Sequence, residues 1–329
     1  MKRSAWKLGQ QMHRQHELRF EGRTVATRSV VYENLRLRSV LAATDLSPAS
    51  DGALHHAISI ARHYCAALYV VHVVSSLGCT LAGPEAIQLE FEAAEREMDC
   101  LAIRLRNSAQ SQDLAIHFIV LKGNVDEELE GFAHENQVDL IVVGTHGRQG
   151  LEKVFFGSIA QSISRCCCCP VLTVGPHSPL KWDWAAFDNP SSLLYATAFQ
   201  RASQRALPYA VSLANESKSQ LTLLHVLSPY MERVRNRDHE PSGFQDRSAI
   251  QHLKNLIPPN AELKREAACI VEHGDPASSI VRVAARTRAA AIIMGSRLEH
   301  FSDLAARFLP STIHRVSCEA KCPVLTIRS

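Results

Sequence analysis

Two tandem open sheets of parallel strands, each covered by helices, form the α/β fold class that this sequence predicts. Three observations predict it. Short apolar runs alternate with segments of helical periodicity. The fourth apolar run stops at Gly144 and enters a glycine-rich stretch, LIVVGTHGRQGLEKVFFGS over 140–158, before helical periodicity resumes at Ser158. The chain then repeats itself at a constant offset of 153 positions.

The first strand is read from Ser39 as SVLAATD, ending at Asp45, with LSPAS as turn and helix cap. Residues 49–64 place Leu54, Ala57, Ile58, Ile60 and Ala61 at helical spacing. Residues 67–74, ALYVVHVV, read as a second strand. Its nearly continuous apolar character suits a parallel sheet covered on both faces. A long charged helix with a solvated face follows at 85–107, then a strand at 116–121, a helix at 125–136 and a strand at 139–143. After the glycine loop come a helix at 158–166 and a fifth strand at 170–174. The strict β-α alternation predicts five parallel strands in the first domain, residues 38–176. Pro179 and Pro190 mark a linker at 177–190, and the second domain spans 191–329.

The repeat is read residue by residue. LAATD at 41–45 returns as LYATA at 194–198, GALHHAISIA at 52–61 as RALPYAVSLA at 205–214, LYVVHVV at 68–74 as LTLLHVL at 221–227, and CPVLTV at 169–174 as CPVLTI at 322–327. Gly144 matches Gly295 at an offset of 151, and the offset is 153 again at Ser158 and Ser311, so the second loop is two residues longer. That loop reads GSRLEHFSDLAARFLPS. Ala198 replaces Asp45, Leu298 stands where Gly147 would be, and Pro310 replaces Gly157, removing a donor N–H. The second copy keeps the apolar framework and loses the glycine cradle.

Composition sets the bounds. The chain has 329 residues, 46% hydrophobic and 21% charged, which is ordinary for a soluble globular protein with two cores. No apolar run reaches the length of a membrane span, and the N-terminus lacks a secretory apolar region, so no membrane partner is expected. Residues 1–38 carry nine Lys/Arg and three Glu, a net +6. The whole chain carries +3, which leaves the remainder at −3. The folded part is mildly acidic, arguing against a nucleic acid partner, and residues 1–37 are expected to be a poorly ordered basic tail. Ten cysteines, four of them consecutive from Cys166 to Cys169, show no disulfide framework, and a reducing cytoplasm fits them. Cys318 and Cys322 are expected as small apolar residues near a helix end, on one helical face, with zinc as the minor alternative.

A strand, a glycine-rich loop and a helix N-terminus make an anion cradle, because glycine lets the backbone approach and the first helical N–H groups have no partners. In open parallel sheets ligands sit beyond the strand carboxyl ends, where strand order reverses. Asp45 and Gly144 end the first and fourth strands, and both face that crevice if these strands are neighbours. Asp45 could orient a ribose or an adenine amino group, and the backbone near Val73 the adenine edge. The amides of the loop and of Ser158, Ile159 and Ala160 could hold phosphates, with Arg148 adding charge. Neither G-x-x-x-x-G-K-[ST] nor G-x-G-x-x-G is present, so this is no Walker loop or dinucleotide fingerprint. His146 reads as a loop or phosphate contact rather than a base, since no acid or nucleophile is visibly paired with it. His72 recurs as His225 and reads as structural. Asp45 has two readings: a cap of the following turn, or a ligand group. Its loss together with the glycines favours the second.

The spacing Gly144-x2-Gly147-x9-Gly157-Ser158 resembles the ATP-binding subclass of the universal stress protein family. So do Thr44-Asp45 after the first strand, His72-Val73 ending the second, VGTHGRQG, and CPVL at the last strand. The resemblance implies a Rossmann-like, adenine nucleotide alpha hydrolase-like fold and one bound adenine nucleotide, ATP or AMP, with magnesium as its companion ion. Carried over by position, adenosine meets Ala43, Thr44, Asp45 and Val73. The phosphates meet Gly144, Thr145, His146, Gly147, Arg148 and Gly150, then Gly157, Ser158, Ile159 and Ala160. Ala43 departs from the Pro or Val often found there. The family also implies dimer-like pairing through the last strand, within this chain between its two halves, leaving either a monomer or a further homodimer. The implied role is a stress-response or regulatory protein with an unidentified protein partner and at most slow ATP hydrolysis. A nucleotide-independent scaffold is the alternative.

Overall fold

The computed structural model describes residues 35–75, 83–108, 111, 113–145, 163, 169–179, 192–228, 244–257, 261, 263–296 and 311–328. In the first half these form β1 (Ser39–Ala43), a 3-10 turn (Pro48–Ser50), α1 (Asp51–Tyr64), β2 (Ala67–Ser75), α2 (Gly83–Arg106), β3 (Ile116–Gly123), α3 (Val125–Glu135), β4 (Leu140–Gly144) and β5 (Val171–Val174). The second half gives β6 (Ser192–Ala196), α4 (Arg201–Glu216), β7 (Gln220–Leu227), α5 (Phe244–Leu256), β8 (Ala268–His273), α6 (Pro276–Arg286), β9 (Ala289–Ser296), α7 (Thr312–Glu319) and β10 (Val324–Arg328). The helix predicted at 158–166 lies outside the described residues except for Ile163, which is fully buried. The expected basic tail lies outside them up to Leu35, and Leu37 is already in the core. Most of the predicted linker lies outside them as well.

All ten strands join one sheet in the order β3-β2-β1-β4-β5-β10-β9-β6-β7-β8. Within each half every pairing is parallel, as predicted. Among the described residues the single antiparallel pairing is β5 with β10, where Leu172 sits opposite Leu325. The last strands of the two halves therefore cover each other's edge within one chain. Thr326 Oγ1 adds a hydrogen bond to Val171 O at 3.2 Å across this seam.

Strand alternation sends side chains to two faces. On one face Val40, Ala42, Leu172, Leu325 and Ile327 pack with α1, α2, α4 and α5 in a cluster that runs unbroken through both halves. On the other face the core is split. Leu41, Ala43, Val71, Val73, Ile141 and Val143 pack with α3 and Ile163, while Leu194, Ile292, Val316 and Val324 pack with α6 and α7. Cys318 of α7 crosses the seam to join the first of these clusters. Cys318 and Cys322 are both buried, as the packing reading expected, but α7 ends at Glu319 and Cys322 lies in the turn before β10. They do not share a helical face. Among the described residues no helix is long and apolar enough to cross a membrane.

Two polar contacts lie on the α1 and α4 side, and the first of them crosses the seam. Tyr64 Oη donates to Glu216 Oε2 at 2.5 Å, and burial together with this carboxylate pushes the Tyr64 phenol pKa well up. His56, only 1% exposed, faces the carbonyl of Pro179 through Nε2 at 3.0 Å, so Nε2 carries the proton. This bond ties the chain leaving β5 back onto α1.

Burial lowers the His56 pKa to about 4, the Pro179 carbonyl opposing that shift. The folded ring stays neutral where an unfolded ring, with a pKa of about 6.5, takes up a proton. Its contribution is therefore complete above about pH 6.5 and falls as the pH drops toward 4, by on the order of 3 kcal/mol. Urea unfolding of the wild type and His56→Gln between pH 7.5 and 4.5 is expected to show H56Q less stable at neutral pH, the gap closing with acid. A constant gap across that range would refute the buried neutral imidazole.

Candidate functional site

The strand order 3-2-1-4-5 puts the topological switch between β1 and β4. These strands are neighbours in register, with Ala43 opposite Val143 on one side and Val71 on the other. The condition the sequence left open is met, and the chain ends of β1, β2 and β4 share one edge of the sheet. Ala43 (8% exposed) and Val73 (9%) sit on the face covered by α3 and Ile163, at the rim of the packed core.

The turn after β1 is built from its own side chains. Thr44 N donates to Val71 O at 3.0 Å, Thr44 Oγ1 accepts from Leu46 N at 3.0 Å and meets Ser50 Oγ at 2.8 Å. Ser50 Oγ donates to Ser47 O, so the Thr44 hydroxyl supplies the proton between the two side chains. His72 donates from Nδ1 to Thr44 O at 2.8 Å. Asp45 Oδ1 accepts from Ser47 N at 3.1 Å and from Ser47 Oγ at 2.7 Å, an Asx turn. This is the turn-capping contact that the sequence allowed as the alternative to a ligand role for Asp45.

The second half reproduces the turn without the carboxylate. Thr197 N donates to Leu224 O at 2.9 Å, Phe199 N to Thr197 Oγ1 at 3.0 Å, and His225 Nδ1 to Thr197 O at 2.8 Å. Leu46 and Phe199 have nearly the same left-handed φ, 62° and 58°. Ala198, in place of Asp45, donates its N–H to Ser203 Oγ at 3.3 Å. His72 and Thr44 thus do the same backbone work as His225 and Thr197. The turn forms whether or not an aspartate is present.

On β4, Gly144 pairs with Val174, and Thr145, nearly fully buried, donates its N–H to Val174 O at 3.1 Å. His146, Gly147, Arg148, Gly150, Gly157, Ser158, Ile159 and Ala160 lie outside the described residues. The matching strand end in the second half supplies one reason for a glycine there. A Cβ on Gly295 would run into the carbonyl of Ala202 and the amide of Ser203 at the start of α4. Glycine at that position is explained by close packing even without a ligand. Ser311, the counterpart of Ser158, accepts from His314 N at 3.2 Å and caps α7.

The entrance to α6 in the second half is pinned by charge. Asp275 caps α6 by accepting from Ser278 N at 3.0 Å, and Arg315 of α7 donates from Nη1 to Asp275 Oδ1 at 2.9 Å and from Nη2 to Ser278 Oγ at 3.1 Å. The Ser278 amide and hydroxyl, followed by Arg315, hold the Asp275 carboxyl below its usual pKa.

Sequence reasoning missed a cleft of about 810 Å³ on the opposite face of the sheet. Thr44, Leu46, Ser47, Pro48 and Asp51 line one wall, and α2 supplies the other through Arg96, Glu97, Cys100 and Arg104. Of the predicted contacts among the described residues, only Thr44 lines it. The charges on α2, read as a solvated face, gave no pointer to it. Among the described residues no cluster of His, Cys, Asp and Glu is arranged to hold a metal.

The profile of the Universal stress protein family matches residues 36–175 and a second time residues 191–328. Universal stress protein MJ0531 of Methanocaldococcus jannaschii is 34% identical over 143 residues, covering 43% of this chain and 84% of that protein. Universal stress protein A homolog 1 of Coxiella burnetii is 33% identical over 143 residues, covering 43% of this chain and 97% of that protein. The crystal structure of a universal stress protein from Archaeoglobus fulgidus superposes with a TM-score of 0.67 at 19% identity, covering 91% of this chain and 97% of its own. That match reports the shared two-half fold.

Gly295→Ala is expected to lower stability by about 1–3 kcal/mol in urea unfolding, because backbone atoms of α4 must move away. A neutral substitution would contradict the close approach of α4 to β9.

Proposed function

The chain belongs to the universal stress protein family, and on that premise we propose that its first half binds one adenine nucleotide, ATP or AMP. The second half serves as its structural or regulatory partner. One observation carries this reading: the turn after the first strand has the same backbone in both halves, yet only the first keeps a carboxylate there. Since Ala198 supports that turn, Asp45 is not required to form it. A carboxylate retained at the switch point of an open parallel sheet would meet a ribose or adenine edge.

Ala43 and Val73 would flank the adenosine with apolar surface beside Asp45. The glycine-rich run from Gly144 through Gly150, and Gly157 through Ala160, would supply backbone N–H groups to the phosphates, with Arg148 adding charge and Mg²⁺ carried on the phosphate oxygens. Thr44 would shape the turn rather than touch ligand, because its amide, hydroxyl and carbonyl have partners in the fold. Binding, with at most slow hydrolysis, would bias a conformation or a protein contact. Among the described residues Cys65, Cys100, Cys269, Cys318 and Cys322 form no disulfide, which is compatible with a regulatory role in a reducing cytoplasm.

Titration calorimetry with ATP and with AMP tests this. Wild type is expected to bind near one equivalent, Asp45→Ala about 10- to 100-fold more weakly, and the Gly144→Ala/Gly157→Ala double variant not measurably. Circular dichroism checks that each variant is folded. Folded wild type that takes up neither nucleotide would overturn the proposal and favour the scaffold reading.

A further inference from the structure

The cleft between α2 and the turn after β1 takes no part in the nucleotide reading, and its volume of about 810 Å³ is that of a small-molecule site. Its α2 wall carries an ordered row. Arg96, Cys100 and Arg104 are spaced four residues apart, so they stand one turn above another on the same helix face. At 1.5 Å per residue the two arginines are about 12 Å apart at the backbone, with the cysteine midway. Arg96 makes no ion pair among the described residues. Cys100 is an exposed free thiol. Arg104 gives Nη2 to Asp51 Oδ1 at 3.1 Å, and a guanidinium has further donors for a second acceptor. Carboxylates line the cleft as well, Asp51 on the facing wall and Glu97 on the helix. Two cations and two anions around a thiol suit a zwitterion better than a simple phosphate or sulfate.

We propose that this cleft binds a small thiol peptide of the glutathione class and holds it as a mixed disulfide on Cys100. Such a peptide has a carboxylate at each end, an ammonium group beside one of them, and its sulfur in the middle. An extended tripeptide spans about 10 Å, close to the separation of the two arginines. One carboxylate meets Arg96 and the other Arg104, each through a charge-assisted pair, and a carboxylate of the cleft takes the ammonium group. The central sulfur then lies over Cys100. Oxidised glutathione is the co-reactant. The Cys100 thiolate attacks one of its sulfurs, a new S–S bond forms as the old one breaks, and the second glutathione leaves as its thiolate. Cys100 is oxidised, the departing glutathione is the reduced product, and excess reduced glutathione reverses the step. The recognition lies in the cleft and its guanidinium groups, which separates Cys100 from Cys65, an exposed thiol outside the cleft.

The test uses the full chain, reduced and then freed of reductant. It is incubated with oxidised glutathione or with the uncharged disulfide of mercaptoethanol, and adducts are followed cysteine by cysteine by peptide mass spectrometry. With oxidised glutathione Cys100 is expected to react about 10-fold faster than Cys65, and with the uncharged disulfide at a rate within about 2-fold of it. Arg96→Gln, which breaks no ion pair among the described residues, should slow Cys100 about 10-fold toward oxidised glutathione and leave its rate with the uncharged disulfide unchanged. S-methylglutathione cannot form the bond, and it should shield Cys100 but not Cys65 from iodoacetamide. Circular dichroism checks that the variant is folded. Three results overturn the proposal: Cys100 no faster than Cys65 with oxidised glutathione, a preference of the same size with the uncharged disulfide, or an R96Q effect equal for both. Absence of shielding by S-methylglutathione overturns the bound peptide as well.

Discussion

The antiparallel pairing of β5 with β10 is the contact on which the rest of the molecule depends. A five-stranded parallel sheet ends in an exposed row of backbone donors and acceptors, which invites pairing with other chains. Here each half covers the other's last strand, and Leu172 meets Leu325 across the seam. The core under α1, α2, α4 and α5 then runs through both halves without interruption. Tyr64–Glu216 adds a polar contact between the halves on that side, and His56–Pro179 ties the chain leaving β5 onto α1. The halves are two copies of one fold by sequence and one sheet by structure.

The antiparallel seam also fixes where function can sit. Strands of the two halves run in opposite senses, so the carboxyl ends of β1 and β4 lie at the opposite sheet edge from those of β6 and β9. The edge carrying the ends of β1 and β4 is remote from its counterpart in the second half, so the two can differ without disturbing each other. The two halves do differ at these edges. Ala198 replaces the aspartate, Arg315 is engaged with Asp275 and Ser278, and Gly295 is held by packing against α4. The histidine-to-carbonyl bond at the turn persists in both halves because it serves the sheet.

Much of this was legible in the sequence because burial on both sheet faces imposes continuous apolar runs, and a fixed repeat offset aligns them. The strands were read to within a few residues, and β3 runs on to Gly123 because its end is polar and lacks the apolar mark. The Asp45–Ser47 contact was anticipated only as an alternative, since capping and ligand roles ask for the same residue type. That Thr44 is engaged on all sides was not legible, because its partners come from β2, the 3-10 turn and the backbone of Val71. Cys318 and Cys322 were assigned one helical face from their spacing alone, and Ala320 ends the helix between them. The cleft beside α2 escaped notice because it arises from the distance between two elements, which periodicity does not report.

The central claim is one nucleotide site per chain, in the half that kept its aspartate. Equilibrium dialysis of purified chain against labelled ATP, with the stoichiometry counted per polypeptide, tests it most directly. One ATP per chain is predicted, abolished by substitutions in the first half and retained when Gly295 or Arg315 is changed. Two ATP per chain, or one that survives loss of Asp45 and the Gly144–Gly157 glycines, would contradict it.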